Sequence, residues 1–475
     1  MNIFFLANNP AQEYPATASF DEVMGSVGFN TGNQLFTQAV LRHLRFERSG
    51  FGFYFDPEYV QANFDAIVVP AANWLNAGED FGEQADLLAQ TNLPIYVLGL
   101  GAQSHATDAI PVLKPGTLRL LQLFSKRAET IGVRGDYTQR VLNHYGIKNV
   151  RVIGCPSTFW HRTPDASLKA RRAADGPPLR IAFNGTRYHL HPQLFDTSIG
   201  PARTEAVYNE LFAGKLNFEL ETKLYHSAFA SDSDYIYQSE RHEMRHLLGR
   251  AETEFTEQEK MQLTRLYGAP NWPAVDSYIR RRGKAFFFPG EWISKMADYD
   301  FVIGSRLHGC MTALLGGTPS CLITHDTRTR ELAAFLGMPS LSAAEFLARG
   351  NDLRSIYDNL DLEHFYTNYR LRFLNYRSFL EESGLPHTLT DGQNADSTQG
   401  IDFLRTRLKG LSASVAREAA SAANLRTRFA QLETRTAAAA DALNDTEQSL
   451  AAGTAGVMHI SNILQRVESI VLTPL

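Results

Sequence analysis

The sequence predicts an α/β protein with two facing Rossmann-like domains, each built on a parallel sheet, and a helical, coiled-coil-like C-terminal tail. Short apolar runs alternate with helical patterns over residues 1–165 and again over residues 179–345. A different pattern starts near residue 401, where apolar side chains recur at steps of three and four. Strand–helix alternation is typical of parallel sheets, which bind ligands beyond the carboxyl ends of their strands. We therefore expect a ligand cleft between the two domains.

The composition allows a large folded core and excludes several classes of protein. The 475 residues are 44% hydrophobic and 20% charged, with a formal net charge of −5. This charge, without a long basic block, gives no indication of nucleic-acid binding. The three cysteines are far apart, so we expect buried thiols, no disulfide framework and no zinc site. Neither a signal peptide nor a membrane-spanning run is recognisable, which makes the cytoplasm the expected location.

The first domain, residues 1–165, is predicted from strand candidates and the helical patterns between them. The strands are the apolar runs Asn2–Ala7, Ala66–Pro70, Ile95–Leu100, Thr130–Val133 and Val150–Ile153. The helix candidates include Thr31–Leu44, Gly82–Gln90 and Thr117–Ser125. Residues 163–178 are polar and basic and end in two prolines, which is typical of a linker.

The second domain, residues 179–345, is predicted from four further strands. They begin at Leu179 and continue at Ala285–Pro289, Phe301–Gly304 and Ser320–Thr324. Between the first two strands lies a polar and aromatic stretch, about 192–282, which we interpret as a helical insertion. Residues 346–385 contain amphipathic patterns rich in Tyr and Phe and predict closing helices. The polar, turn-forming stretch that follows predicts a flexible linker.

The tail, residues 401–475, has a heptad-like pattern. It begins with Leu404, Leu408 and Leu411 and weakens across an Ala- and Thr-rich stretch. One interpretation is an oligomerising coil or helical hairpin, from which we expect a homo-oligomer. The other is a plain amphipathic helix packed on the domains. Gly453 and Gly456 interrupt the pattern, so a long rod is not implied.

The most informative motif is a strand followed by a small-residue helix, Phe301-Val-Ile-Gly-Ser-Arg-Leu-His-Gly309. Ser305 is expected to cap this helix by accepting a backbone N–H bond. Arg306 and His308 then fall in its first turn, where free N–H groups and the helix dipole favour an anion. This combination suits chemistry on a phosphate or carboxylate, with His308 as general acid or base. The alternative is a capped helix start with two exposed polar side chains.

Two further arginines follow predicted strand ends. Arg134 should face the cleft, although a surface arginine is the simpler interpretation of this residue alone. Asp136 and Gln139, just after it, have the spacing of a helix capping box. Arg328 follows a strand of the second domain and is expected on the rim of the cleft. The adjacent His325 and Asp326 suit an acid–base couple or, more simply, a turn.

Other polar and aromatic residues near strand ends are weaker candidates. Asn33 lies in a Gly-containing loop that opens a helix. Trp74 and Tyr188 follow strand candidates, where they would stack on a sugar or pack in the core. Asp232-Ser-Asp234 has the spacing of a metal–nucleotide motif, but its Ser- and Asp-rich surroundings are typical of a loop. No histidine pair has zinc-ligand spacing, and we expect no metal ion.

Several segments together resemble the polysaccharide pyruvyl transferase family over about residues 1–345. They are Gly99–Ser104, Val133–Asp136, Val152–Pro156 and, most specifically, Phe301–Gly309 with His325–Arg328 downstream. Their order and spacing matter more than any one segment. The resemblance implies domains of the glycosyltransferase-B kind and transfer of pyruvate from phosphoenolpyruvate to a sugar as a cyclic ketal. Phosphoenolpyruvate would be a co-substrate, with no cofactor and no metal required.

The resemblance also implies roles for particular residues. We predict donor binding by Arg134, Arg306, Arg328, Ser305 and Gly309, catalysis by His308 and Arg306, and acceptor binding by Trp74, Asn33 and Tyr188. His308 would be the acid. Two positions depart from the family, which often has Asp in place of Asn33 and Lys in place of Arg328; the latter change keeps the charge but replaces a point charge by a fork.

Two other functions stay open at this point. One is a nucleotide-sugar-dependent glycosyltransferase of the same fold, and the other is a non-catalytic assembly protein that works through its tail. The sequence identifies neither the acceptor sugar nor whether that sugar is lipid-linked. A lipid-linked acceptor would bring the protein to a membrane surface as a peripheral protein.

Overall fold

The computed structural model describes residues 1–10, 18–104, 109–166, 177–185, 215–248, 255–350 and 352–390, and in the tail only Ala430 and Thr434. Residues 1–393 form one compact unit and residues 394–475 a second. The predicted coiled coil, Tyr188 and the first part of the predicted insertion lie outside the described residues. Within the described ranges, no helix combines the length and the apolar character needed to span a membrane.

The first sheet has six parallel strands in the order β2-β1-β3-β4-β5-β6. They are β1 Asn2–Phe5, β2 Arg48–Phe51, β3 Ala66–Pro70, β4 Ile95–Leu100, β5 Ile131–Val133 and β6 Val150–Val152. Five of them lie in predicted strands. The sequence pattern does not indicate β2, because this partly exposed edge strand, Arg-Ser-Gly-Phe, contains a glycine and has no apolar run.

Helices connect these strands, and two of them begin at clear capping signals. They are α1 Phe20–Ser26, α2 Gly32–His43, α3 Pro57–Asn63, α4 Gly82–Ala89, α5 Pro115–Arg127 and α6 Asp136–His144. A capping box of Ser19 and Glu22 starts α1, and Asp56 caps α3 just before a proline. The predicted capping box at α6 is wrong. Gly135 is the N-cap residue there, Asp136 is already helical, and no side chain caps the helix.

The second sheet also has six parallel strands, in the order β12-β11-β10-β7-β8-β9. They are β7 Ile181–Asn184, β8 Asp234–Tyr237, β9 Gly283–Ala285, β10 Phe301–Gly304, β11 Ser320–Thr324 and β12 Ser340–Ser342. The two parallel sheets with their helices confirm the predicted α/β class. The strand order reverses between β1 and β3 in the first sheet and between β7 and β10 in the second. Such reversals open a crevice at the carboxyl ends of the strands.

The region predicted as a helical insertion contributes a strand to the sheet. It contains α7 Lys215–Ala230, α8 Arg241–Leu247, α9 Glu257–Tyr267 and α10 Trp272–Arg282, but β8 pairs with both β7 and β9. The sequence pattern misses β8 because the strand has only four residues and starts with a carboxylate. The predicted strand at Ala285–Pro289 is also displaced, since β9 ends at Ala285 and Pro289 begins the next helix.

The aspartate pair beside β8 has a structural explanation. Asp232 accepts hydrogen bonds from Arg281 at 3.1 Å and Arg282 at 2.5 Å, and Asp234 lies 3.4 Å from Arg282. These contacts hold the end of α10 against β8. They account for the Asp-x-Asp spacing without a metal ion.

Six helices follow β9, and the last of them contacts the first part of the chain. They are α11 Pro289–Met296, α12 Leu307–Leu315, α13 Thr327–Leu336, α14 Ala343–Ala348, α15 Leu353–Asp358 and α16 Leu362–Glu382. In α16, Tyr376 stacks on Phe159 with ring centroids 5.1 Å apart, and its hydroxyl lies 3.0 Å from Nδ1 of buried His43. Burial lowers the pKa of His43 to about 3, so this histidine is a neutral core residue.

Hydrogen bonds at the carboxyl ends of the strands join the two sheets. Gln103, after β4, donates to Asp326 at 3.1 Å, and the backbone N–H of Ser104 donates to Thr327 Oγ1 at 2.9 Å. Thr138 of α6 donates to Glu331 of α13 from its backbone N–H at 3.0 Å and from its hydroxyl at 2.8 Å. These bonds fix the start of α13 against the first sheet and thereby place side chains from both sheets around one space.

Candidate functional site

One cavity lies where the carboxyl ends of both sheets meet. It is lined by Arg134, Arg306, Arg328 and His308, and we call it the arginine cavity. Its wall also includes Asn30, Asn33, Phe36, Ala72, Asn73, Gln238 and Leu307. Five residues from the sequence prediction thus meet in one place, while Ser305, Gly309 and Trp74 do not line this cavity.

Arg134 is a buried cation without a carboxylate partner in the described parts of the chain. The residue is only 2% exposed, which makes the surface interpretation wrong. Its Nε donates to the Gly99 carbonyl at 2.8 Å and its Nη2 to the Ala71 carbonyl at 3.3 Å, and its guanidinium lies 5.5 Å from the Phe36 ring. Burial lowers the pKa of Arg134 and Arg328 adds to the effect, while Cys155 and Glu331 act in the opposite direction. A buried charge whose hydrogen bonds go only to carbonyl groups is costly unless an anion binds beside it.

Arg306, in contrast, is held by a carboxylate. Its Nη2 contacts both Glu240 Oε1 and Ser239 Oγ closely, and its Nε donates to the Gly185 carbonyl at 3.1 Å. Its backbone N–H donates to Asn184 Oδ1 at 3.1 Å, which fixes the turn between β10 and α12. The predicted grip of an anion by Arg306 therefore competes with Glu240, which is 2% exposed.

We predict a large stability effect at this pair. Arg306→Met leaves Glu240 buried and unpaired, so the free energy of unfolding should fall by about 3–5 kcal/mol. The double variant Arg306→Met/Glu240→Gln should recover much of that loss, because neither charge of the pair remains. Urea unfolding of the three proteins measures both effects. A single variant as stable as the parent would show that the pair does not hold the turn.

His308 lies in the first turn of α12, which begins one residue earlier, and faces the arginine cavity. Its Nε2 lies 3.9 Å from the Cys155 thiol, and its ring centroid is 5.9 Å from that of Phe36. A Cβ on Gly32 would lie 2.8 Å from His308 Nδ1, so only a glycine at this position of α2 allows so close an approach to the ring.

The protonation state of His308 follows from its surroundings. Burial in the first place, and then the charges of Arg134, Arg328 and Arg306, hold the pKa of His308 well below 6.5. The imidazole is therefore neutral at pH 7 in the ligand-free protein.

Arg328 enters the cavity from the first turn of α13. Its Nη2 lies 3.4 Å from Asp326 Oδ2, and its side chain is 24% exposed. Its Nε is buried without a hydrogen-bond partner within the described ranges. Asp326 caps α13 by accepting from the backbone N–H of Thr329 at 2.7 Å. Although burial opposes it, Arg328 and then His325 lower the pKa of Asp326, so Asp326 is an ionised helix cap rather than an acid.

Ser305 and Gly309 have structural surroundings that differ from their predicted donor contacts. Arg306, not Ser305, is the N-cap residue of α12, and it makes no side-chain capping bond. The Ser305 hydroxyl donates to buried Glu221 instead. Gly309 packs against Asn184, since a Cβ at this position would lie 2.6 Å from the Asn184 amide carbon.

Gly309→Ala should therefore destabilise the protein by about 2 kcal/mol, because overpacking a rigid contact costs about 1–3 kcal/mol. The added methyl group would push on the Asn184 amide that holds the backbone of Arg306. Gly290→Ala in α11 is the matched control, since its Cβ would meet only one atom within reach, at 3.9 Å. Thermal unfolding should show a loss for Gly309→Ala and no loss for Gly290→Ala. Equal melting temperatures would contradict this account of Gly309.

The described residues contain no group of three or more His, Cys, Asp or Glu side chains arranged to hold a metal ion. Cys155, Cys310 and Cys321 are buried free thiols, as the sequence predicts. Three residues that organise the site, Asn184, Glu240 and Cys155, are not singled out as site residues by the sequence. The signal for Asn184 is its place at the end of a predicted strand, directly before Gly185, whereas Glu240 has no comparable signal.

Comparisons with known proteins bear on this geometry. A family model described as polysaccharide pyruvyl transferase matches residues 30–327. No curated protein matches the chain in sequence. A crystal structure of Anabaena HepE with UDP and glucose is similar at 11% identity, covering 81% of this chain and 99% of that one, with a TM-score of 0.36. Staphylococcus aureus MnaA with UDP is similar at 9% identity, 80% and 97% coverage, and a TM-score of 0.38.

Proposed function

Because this chain belongs to the polysaccharide pyruvyl transferase family, we propose that it transfers pyruvate from phosphoenolpyruvate to a pair of saccharide hydroxyls and forms a pyruvate ketal. One observation carries the choice of donor. Arg134 is a buried cation that lines the arginine cavity and has no carboxylate partner in the described structure. A polyanionic donor with a compact phosphate and carboxylate supplies the missing counter-charge.

The three arginines differ in what they offer this donor. Arg134 offers an unpaired charge, Arg328 has a single carboxylate contact and an unbonded Nε, and Arg306 is already paired with Glu240. We therefore assign the principal anion contacts to Arg134 and Arg328. Arg306 shapes the wall and keeps the turn that carries His308 in position.

His308 is the proposed acid for the enol carbon. A neutral imidazole does not serve this role, so donor binding has to be coupled to the uptake of a proton from solvent by His308. The charges of a bound trianion offset those of the arginines and raise the pKa of His308. Protonation of the methylene leaves an oxocarbenium-like C2. One hydroxyl attacks C2, the C–O bond to phosphate breaks, and the second hydroxyl closes the ketal. Of the two hydroxyl protons, one replaces the proton that His308 gave to the new methyl group, and the other leaves on hydrogen phosphate.

The test measures binding and turnover separately. Phosphoenolpyruvate should raise the melting temperature of the protein, while UDP- and GDP-sugars should not. Phosphate release should then depend on a saccharide, assayed over a panel of galactosides, mannosides and glucosides. Stabilisation by nucleotide sugars alone would reject the proposal in favour of a glycosyltransferase.

Two replacements of Arg328 distinguish the contribution of its positive charge to donor binding from that of its planar, bidentate guanidinium group. Arg328→Lys should keep most of the phosphoenolpyruvate affinity, because a point charge at this position still pairs with the anion. Arg328→Met should lose about 1.5–3 kcal/mol of binding, roughly 10- to 150-fold, the range for a hydrogen bond to a charged group. Isothermal titration of both variants measures the difference. Equal losses in both would show that the bidentate geometry, not the charge, is what matters.

A further inference from the structure

A second cavity adjoins the arginine cavity at the strand-order reversal of the first sheet. It lies at the carboxyl ends of β1 and β3, where Asn8 follows β1, Pro70 is the last residue of β3 and Ala72 follows β3, and it extends to the start of α2. We call it the amide cavity, after Asn8, Asn33 and Gln34 in its wall. Asn33, Phe36 and Ala72 line both cavities, so the two spaces are separated by the width of a side chain.

The amide cavity and the arginine cavity have opposite chemical character. None of the residues that line the amide cavity is ionisable, whereas the arginine cavity has three guanidinium groups and an imidazole. A charged ligand in the amide cavity would lose its hydration without gaining a counter-charge, which is costly. The amide cavity therefore favours an uncharged ligand.

The polar groups of the amide cavity are suited to hydroxyls. Asn8 and Asn33 each use their NH₂ group on a backbone carbonyl, at 3.2 Å to Gly25 and 3.1 Å to Val27, so that their carbonyl oxygens stay available as acceptors. Gln34 shows the reverse arrangement, because its Oε1 accepts from a neighbouring glutamine at 3.4 Å and its NH₂ has no partner in the described part of the chain. A sugar hydroxyl both donates and accepts, and thus pairs with either kind of group.

Aromatic rings complete the wall of this cavity. Trp74, 8% exposed, is stacked on Phe81 with ring centroids 4.7 Å apart, and Phe53 lies 6.1 Å from it. A pyranose has apolar faces and a rim of polar hydroxyls. Fixed aromatic rings beside amide groups form a wall that matches this mixture of apolar and polar surface. Phe36 lies at the boundary of the two cavities, because it lines both of them and its ring contacts Arg134 and His308 of the arginine cavity.

We infer that the amide cavity is the acceptor subsite and that it takes an uncharged pyranose unit, with the reacting hydroxyl pair directed past Phe36 toward the arginine cavity. The role of this sugar as the acceptor rests on the proposed function, whereas the binding of a sugar in the amide cavity does not. We assign hydrogen-bonding roles to Gln34 and to Thr37, which also lines the cavity. Among the described residues, the Thr37 hydroxyl has no protein partner. We assign Trp74 a role in shaping the wall.

The experiment measures sugar binding without the donor. Saturation-transfer NMR on the full chain compares methyl hexopyranosides with the corresponding methyl hexuronosides. Only the neutral glycosides should bind. Gln34→Leu and Thr37→Val, which keep side-chain volume, should each weaken that binding roughly 5- to 10-fold, as expected for one lost hydrogen bond. Gln139→Leu on α6 is the control, because Gln139 lines neither cavity.

The phosphoenolpyruvate-induced melting shift decides between the possible failures. It should be the same in Gln34→Leu, Thr37→Val and the parent protein. Preferred binding of hexuronosides, or neutral-sugar binding unaffected by both variants, would overturn the inference. If neutral sugars bind through Gln34 and Thr37 but phosphoenolpyruvate does not bind, the proposed donor is wrong and the sugar site stands.

Discussion

Replacement of Arg134 by methionine is expected to lower the affinity for phosphoenolpyruvate by about 3 kcal/mol, roughly 150-fold, which is the scale for a lost hydrogen-bonded charge in a buried site. The stability of the ligand-free protein should change far less than in Arg306→Met. The variant leaves the Gly99 and Ala71 carbonyls without their donor, but it also removes a buried cation that has no carboxylate partner in the described chain. Isothermal titration and urea unfolding measure the two quantities on the same preparation.

The comparison of arginine variants makes this prediction specific. Arg119→Met, at a surface residue whose side chain is 51% exposed, should change neither affinity nor stability appreciably. Arg306→Met should lose stability first, because of Glu240, whereas Arg134→Met should lose affinity first. If Arg134→Met unfolds the protein and leaves the affinity of the remaining folded fraction intact, then Arg134 is a structural residue and the donor site is elsewhere.

The second large effect is expected at His308. His308→Asn should lower the turnover number by about 1,000-fold, within the 10²–10⁴ range for loss of a general acid. Phosphoenolpyruvate should still stabilise this variant, because the arginines remain. His144→Asn, at an exposed histidine on α6, provides the control. Full turnover in His308→Asn would remove His308 from the acid's role.

The same histidine predicts a proton linkage. The pKa of His308 lies well below 6.5 in the ligand-free protein, so the ring is neutral at pH 7. A bound trianion raises that pKa, and binding is then accompanied by proton uptake, so the affinity for phosphoenolpyruvate should fall as pH rises through the bound-state pKa. Titrations in two buffers of different ionisation enthalpy measure the uptake. It should be smaller in His308→Asn, and equal uptake in both proteins would assign the proton to another group.

The motifs at strand ends were readable from the sequence because each is a local pattern. An apolar strand followed by polar residues and a small-residue helix places Arg134, Arg306, His308 and Arg328 at the carboxyl edge of a parallel sheet, whatever the rest of the chain does. The prediction that Ser305 caps α12 is wrong because a local pattern does not show tertiary contacts. Ser305 lies close enough in the sequence to cap the helix, but in the folded chain its hydroxyl donates to Glu221. Tertiary contacts also explain why the sequence pattern does not predict β8. Its neighbours β7 and β9 stabilise a segment that is too short to show a periodic pattern.

By itself, the sequence determined the α/β class, most of the strands and the four charged or titratable residues of the arginine cavity. Only the tertiary structure decided how those residues differ from one another. Which arginine is paired depends on carboxylates far away in the chain. Glu240 reaches Arg306 from the segment after β8, whereas the hydrogen bonds of Arg134 within the described residues go to the carbonyl groups of Gly99 and Ala71. Asn33 and Trp74 were predicted as acceptor contacts, but the uncharged cavity that they line could not be recognised from the sequence, because its wall is assembled from the ends of β1 and β3 and the start of α2. Charge type is a property of a residue, but the presence or absence of a counter-charge is a property of the folded chain.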